Sequence, residues 1–180
     1  MFPDLLKKLF VECDDKNGKY VIRLYNEGKW NNVVIDDRIP CNSAGTPAFG
    51  KNSVRNEMWV VLLEKAMAKL LGGYEALNGG YLEEGVAYLT GGRPERLYVN
   101  NVKQKVGAQV WRKDKLWEKL VRYNDSNVLM GCSISNAREE TNNTSGLVAG
   151  HAYGILDVRE TQDKKFKMLK LRNPWVCSSR

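Results

Sequence analysis

One histidine occurs in 180 residues: His151, inside the stretch G-L-V-A-G-H-A-Y-G-I-L-D-V at 146–158. An imidazole titrates near neutral pH and can serve as a general base, yet a lone histidine at an interior edge serves structure equally well. The four cysteines, Cys13, Cys41, Cys132 and Cys177, lie far apart with no C-x-x-C pair. Neither a zinc site nor a disulfide framework is indicated, and thiols so spaced fit a reducing compartment. Cys132 stands in the nearly continuous apolar run N-V-L-M-G-C-S-I-S. Nothing near it in sequence lowers a thiol pKa, so it reads as a small core residue rather than a nucleophile.

The elements around His151 decide what it can reach. H-A-Y-G-I-L-D-V, the polar R-E-T-Q-D-K-K and F-K-M-L-K-L-R-N have the pattern of a hairpin with a longer loop. A register that sets Val158 opposite Phe166, Leu156 opposite Met168, Ile155 opposite Leu169 and Tyr153 opposite Leu171 matches apolar with apolar on both faces. It sets His151 opposite Asn173. Facing side chains in such a pair have Cβ atoms about 4.5–5.5 Å apart, within reach of an imidazole-to-amide hydrogen bond. Pro174 biases Asn173 towards an extended backbone, and Trp175 offers an apolar plate over the pair. A histidine held by a neutral amide and shielded from water is the base that a thiol nucleophile needs. A structural histidine capped by Asn173 satisfies the same spacing, and a shift of one residue would separate the two onto opposite faces.

Upstream, K-Y-V-I-R-L-Y and K-W-N-N-V-V-I flank N-E-G and predict an antiparallel hairpin over 19–35. Residues 36–53 read as a surface loop. S-V-R-N-E-M-W-V-V-L-L-E-K-A-M-A-K-L-L-G-G predicts a helix over 55–71 with Ser53 as N-cap and Gly72-Gly73 beyond its end. Its apolar stripe is Trp59, Leu62, Leu63, Ala66, Met67 and Leu70, with Val61 and Leu71 widening it. Residues 74–92 read as short glycine-separated helical turns, 109–123 as a helix, 127–135 as a strand and 136–146 as a polar loop. The predicted class is α+β: one twisted antiparallel sheet from the 19–35, 127–135 and 151–173 strands, with flanking helices.

There are 28 Lys plus Arg against 21 Asp plus Glu, a net charge of +7, but the charges are scattered. W-R-K-D-K-L-W-E-K-L-V-R mixes both signs and reads as a solvated helix face, so no nucleic-acid partner is expected. M-F-P-D-L-L-K-K-L-F is no secretory signal, and no apolar run is long enough to span a membrane. A cytoplasmic setting is expected.

The segments R-L-Y-N-E-G-K-W-N-N-V-V-I-D-D-R-I-P, E-M-W-V-V-L-L-E-K-A-M-A-K-L-L-G-G-Y-E-A-L-N-G-G, E-G-V-A-Y-L-T-G-G, L-M-G-C-S-I-S, L-V-A-G-H-A-Y-G-I-L-D-V and K-L-R-N-P-W resemble, in order and spacing, the calpain family of cysteine proteases. They are similar to the second, β-rich half of its papain-like catalytic core. The resemblance implies His151 as general base and Asn173 as its orienter in a Cys-His-Asn triad, with Trp175 packed over the pair and Gly150 along the substrate backbone in the cleft. It implies protein or peptide substrates. The family's G-D-C-W nucleophile motif occurs nowhere in these residues, nor does the oxyanion-stabilising Gln of the same subdomain. R-N-P-W-V-C-S-S-R replaces the family's N-P-W-G-E and the strands beyond it, which carry the acidic calcium ligands of this half. The expectation is a single partial catalytic domain over 1–180, the His/Asn subdomain, with no cofactor or metal site, inactive until a Cys-bearing half docks. A non-catalytic module using the same surface to bind protein or to regulate is the alternative.

Overall fold

A computed structural model describes residues 3–52, 54, 57–99, 112–134, 141–142 and 146–174. The chain packs as two compact units, one ending at Pro94 and the other beginning at Glu95.

In the first unit a short helix, α1 (Pro3–Lys7), leads into β1 (Phe10–Asp14), β2 (Lys19–Asn26) and β3 (Lys29–Asp36). These form an antiparallel sheet in the order β1-β2-β3. Asn26 pairs with Lys29, so the turn is Glu27-Gly28, both with positive φ (52° and 77°). That is the pattern of a type I′ turn, whose twist suits a two-residue hairpin. β1 was not foreseen. Its middle residues are exposed and its ladder slips between Phe10 and Glu12, so no buried stripe alternates along it.

The inward residues Ile22, Leu24, Val33 and Ile35 close a core with Leu9 and with Leu62, Leu63 and Ala66 of α2 (Trp59–Leu71). The helix begins later than the sequence predicts, after Met58 and without a side-chain cap; Ser53 lies outside the described residues. It ends as expected at Gly72, in the left-handed region at φ 102°. Trp59 is 41% exposed and leaves the stripe, while Val61 and Ala68 are buried. On its flank Lys65 reaches the Asp36 carboxylate and the Arg38 carbonyl, and Lys69 donates to the Val34 carbonyl. These lysines occupy carbonyls at the open edge of β3. A 3₁₀ turn at Tyr74–Leu77 and α3 (Leu82–Thr90) follow, as the glycine spacing suggests.

The second unit contains α4 (Lys113–Asp125), β4 (Met130–Ser133), the short β5 (Thr141–Asn142) and β6 (Val148–Ala149), then β7 (Ala152–Glu160) and β8 (Lys167–Arg172). Glu95 accepts hydrogen bonds from Lys119 and Tyr123 of α4. The predicted start of this helix falls partly on residues outside the described set, as does most of the polar loop at 136–146. β4, β7 and β8 form one antiparallel sheet in the order β4-β7-β8, and β5 pairs with β6. The fold is thus α+β, antiparallel sheets with flanking helices. The expected single sheet is instead separate ladders among the described residues, because the β2–β3 hairpin buries its apolar face against α2 in a core of its own.

Candidate active site

The β7–β8 hairpin forms, but in a different register from the one the apolar pattern favours. Glu160 pairs with Lys167, Arg159 with Met168, Val158 with Leu169 and Asp157 with Lys170; then Ile155 pairs with Leu171 and Gly154 with Arg172. Leu156 is an extra residue, a β-bulge. The apolar pattern misled because β8 and the residue before it are poorly covered: Phe166 is 64% and Met168 50% exposed, so neither position penalises a slip.

Continued beyond Gly154 and Arg172, this register puts Asn173 opposite Tyr153, with His151 as its diagonal neighbour on the same face. Diagonal Cβ atoms lie about 7–8 Å apart, still within reach of longer side chains. His151 and Asn173 do meet: Nε2 of the imidazole lies 2.8 Å from Asn173 Oδ1. A carbonyl oxygen only accepts, so Nε2 carries the proton and the neutral ring has its basic lone pair on Nδ1.

Several local features hold the ring. His151 is 7% exposed and follows Gly150, whose φ of 78° suits glycine and whose N–H donates to the Ile134 carbonyl at 2.7 Å. Tyr153, buried two residues on and hence on the same face, sets its ring edge-on to His151, with centroids 4.9 Å apart. Its hydroxyl accepts from the Val148 N–H at 2.9 Å, tying the strand before the histidine to the strand after it. Sequence reasoning did not single out Tyr153 as a site residue, although its i+2 position relative to His151 was the signal that places it there.

Gly150 is exposed beside the dyad, while Trp175 lies outside the described residues, and with it the expected apolar cover. Cys132, on β4, is paired with Tyr153 of β7, and burial pushes its thiol pKa up, the opposite of what a nucleophile requires. Cys13 and Cys41 are exposed in the first unit, and Cys177 lies outside the described residues. Among the described residues no three His, Cys, Asp or Glu side chains gather as a metal ion would need. Among the same residues no helix is long and apolar enough to cross a membrane.

The comparisons with known proteins point one way. The family described as calpain family cysteine protease matches residues 2–179. The chain is similar to the calpain-type cysteine protease ADL1 of Oryza sativa subsp. japonica, 39% identical over 162 residues that cover 90% of this chain and 7% of that protein. It is also similar to the calpain-type cysteine protease DEK1 of Arabidopsis thaliana, at 38% over 162 residues with the same shares, 90% and 7%. To calpain-12 of Homo sapiens it is 34% identical over 183 residues, 98% of this chain and 24% of that protein. The chain therefore spans about a quarter or less of the length of these relatives. With a match running through nearly the whole sequence, the chain belongs to the calpain family of cysteine proteases.

Proposed function

We propose that this chain supplies the histidine and asparagine of a Cys-His-Asn triad to a calpain-type cysteine endopeptidase acting on protein substrates. The observation that carries the proposal is the 2.8 Å contact between His151 Nε2 and Asn173 Oδ1. With that contact made, Nδ1 is the nitrogen that takes the proton of an incoming thiol, forming a thiolate beside an imidazolium. The Asn173 oxygen keeps accepting from Nε2–H throughout, so the ring holds its angle as its charge changes. After attack on the scissile carbonyl the imidazolium returns the proton to the departing amine. Gly150, small and exposed next to the base, is where a substrate backbone runs, and the family resemblance assigns Trp175 the role of apolar cover. The nucleophile and the oxyanion donor come from a Cys-bearing half, since G-D-C-W does not occur in these residues. This half carries no calcium site of its own in our reading, and its scattered thiols suit a reducing, cytoplasmic setting.

The test is peptidase activity on a flexible peptide, with the chain alone, with a Cys-bearing calpain half added, and with that half plus His151→Ala protein. Activity is expected only on mixing with the unmutated chain, and His151→Ala lowers it by about two to four orders of magnitude, the usual worth of a general base. The missing G-D-C-W motif favours a second reading, a non-catalytic module that binds protein. Silence in the mixture, with both halves folded and associated, replaces the first reading by this one.

A further inference from the structure

We propose that Asn124, at the end of α4, is a positioning residue for the His151–Asn173 pair, acting by pinning the β-bulge at Leu156. On β8, Leu169, Leu171 and Asn173 alternate and share one face. Their counterparts on β7 are Val158, opposite Leu169, and Ile155, opposite Leu171. Tyr153 and His151 continue the same face. The spacing along β7 is two residues from 151 to 155, but three from Ile155 to Val158. The bulge alone reconciles a buried Val158 with an inward Tyr153 and His151. Were the pairing of Val158 with Leu169 continued without a bulge, Gly154 would oppose Asn173, and His151 would sit on the other face of the ribbon from it.

A bulge on a weakly covered strand can slide, and β8 is such a strand, with Met168 and Leu169 exposed. Something must hold the extra residue at Leu156. The Val158 N–H, just past the bulge, donates to Asn124 Oδ1 at 3.2 Å and also lies 3.0 Å from Asp157 Oδ1. Asp157 is in turn paired with Arg159. On the His151 side of the bulge β7 is held by β4, whose Met130 pairs with Ile155; past the bulge, of these acceptors only Asn124 belongs to another element, so it ties that side to a point outside the hairpin. If it is released, the bulge migrates towards the His151 end, the regular pairing extends with it, and Asn173 is carried away from the imidazole.

The functional meaning rests on the proposed catalytic pair, but the test does not. Because His151 is the only histidine, its ring N–H protons need no assignment in a ¹H–¹⁵N spectrum of the 180-residue chain. The readout is the water-exchange rate of the His151 Nε2–H. In Asn124→Ala we expect native far-UV circular dichroism but exchange about tenfold faster, the scale of one lost hydrogen bond. Asn124→Asp, which keeps the oxygen, restores slow exchange. Asn173→Ala accelerates exchange as much as Asn124→Ala does, and the double variant adds nothing further, because Asn124 acts only through Asn173. Unchanged exchange in folded Asn124→Ala overturns the proposal, as does an additive double variant. Unfolding of both Asn124→Ala and Asn124→Gln overturns it too, making Asn124 a support for the whole fold. No nucleophile is needed, so a silent peptidase mixture with this pattern intact would sink the catalytic reading and leave the positioning role standing.

Discussion

At the scale of single residues, the candidate site is a set of polar groups each with its partner. The Tyr153 hydroxyl takes the Val148 N–H inside the protein, and its ring edge meets His151. Tyr153→Phe keeps the ring and removes the acceptor, leaving a buried N–H without a bond. We expect a loss of about 1–3 kcal/mol, read from the urea midpoint, and faster amide exchange at Val148. The residues that meet, His151 and Asn173, were legible because both are chemically distinctive and both sit at the ends of recognisable strands. Asn124 was not legible: an asparagine near a helix end looks like ordinary punctuation, and only the packing of α4 against β7 gives it a target.

Among elements, the predicted ones with strong periodicity are there, and those without it were missed or misplaced. The β2–β3 hairpin was readable from two alternating runs around a glycine, but the turn itself is imperfect, since Glu27 occupies a left-handed position at φ 52°. Asparagine accepts that conformation more readily, so Glu27→Asn should stabilise the first unit by about 0.5–1 kcal/mol, measured as a rise in its urea midpoint. β1 escaped notice for want of a buried face, and α2 starts later than its composition suggests, after Met58 and without a side-chain cap there. The β7–β8 register failed for a related reason: apolar residues exposed on β8 were matched as though they were buried, and a bulge is not written in hydrophobic pattern.

Over the whole molecule, charge is scattered on the surface, and its effect on stability is local. The Glu95 carboxyl is held below the ordinary carboxylate range by the hydrogen bond from Lys119, then by that from Tyr123. A carboxylate with a depressed folded pKa stabilises the fold above its unfolded pKa and stops doing so as the pH falls through the folded value. The stability difference between the chain and a Glu95→Gln variant should therefore be constant at neutral pH and close as the solution is acidified below the ordinary glutamate range. Urea midpoints across that range check it, and the exposure of the Glu95 side chain keeps the effect small. The sequence by itself determined the α+β class, the apolar core of the first hairpin and its helix, and the identity of the histidine and asparagine, because burial pattern and rare chemistry are carried by residue type. Tertiary structure alone decided that the strands divide into separate sheets, that Leu156 bulges, that Tyr153 packs edge-on to His151 and that Asn124 accepts the Val158 N–H beside the bulge. Those outcomes depend on which faces find cover in space, and a one-residue change of parity along a strand costs nothing in composition while reversing every side chain beyond it.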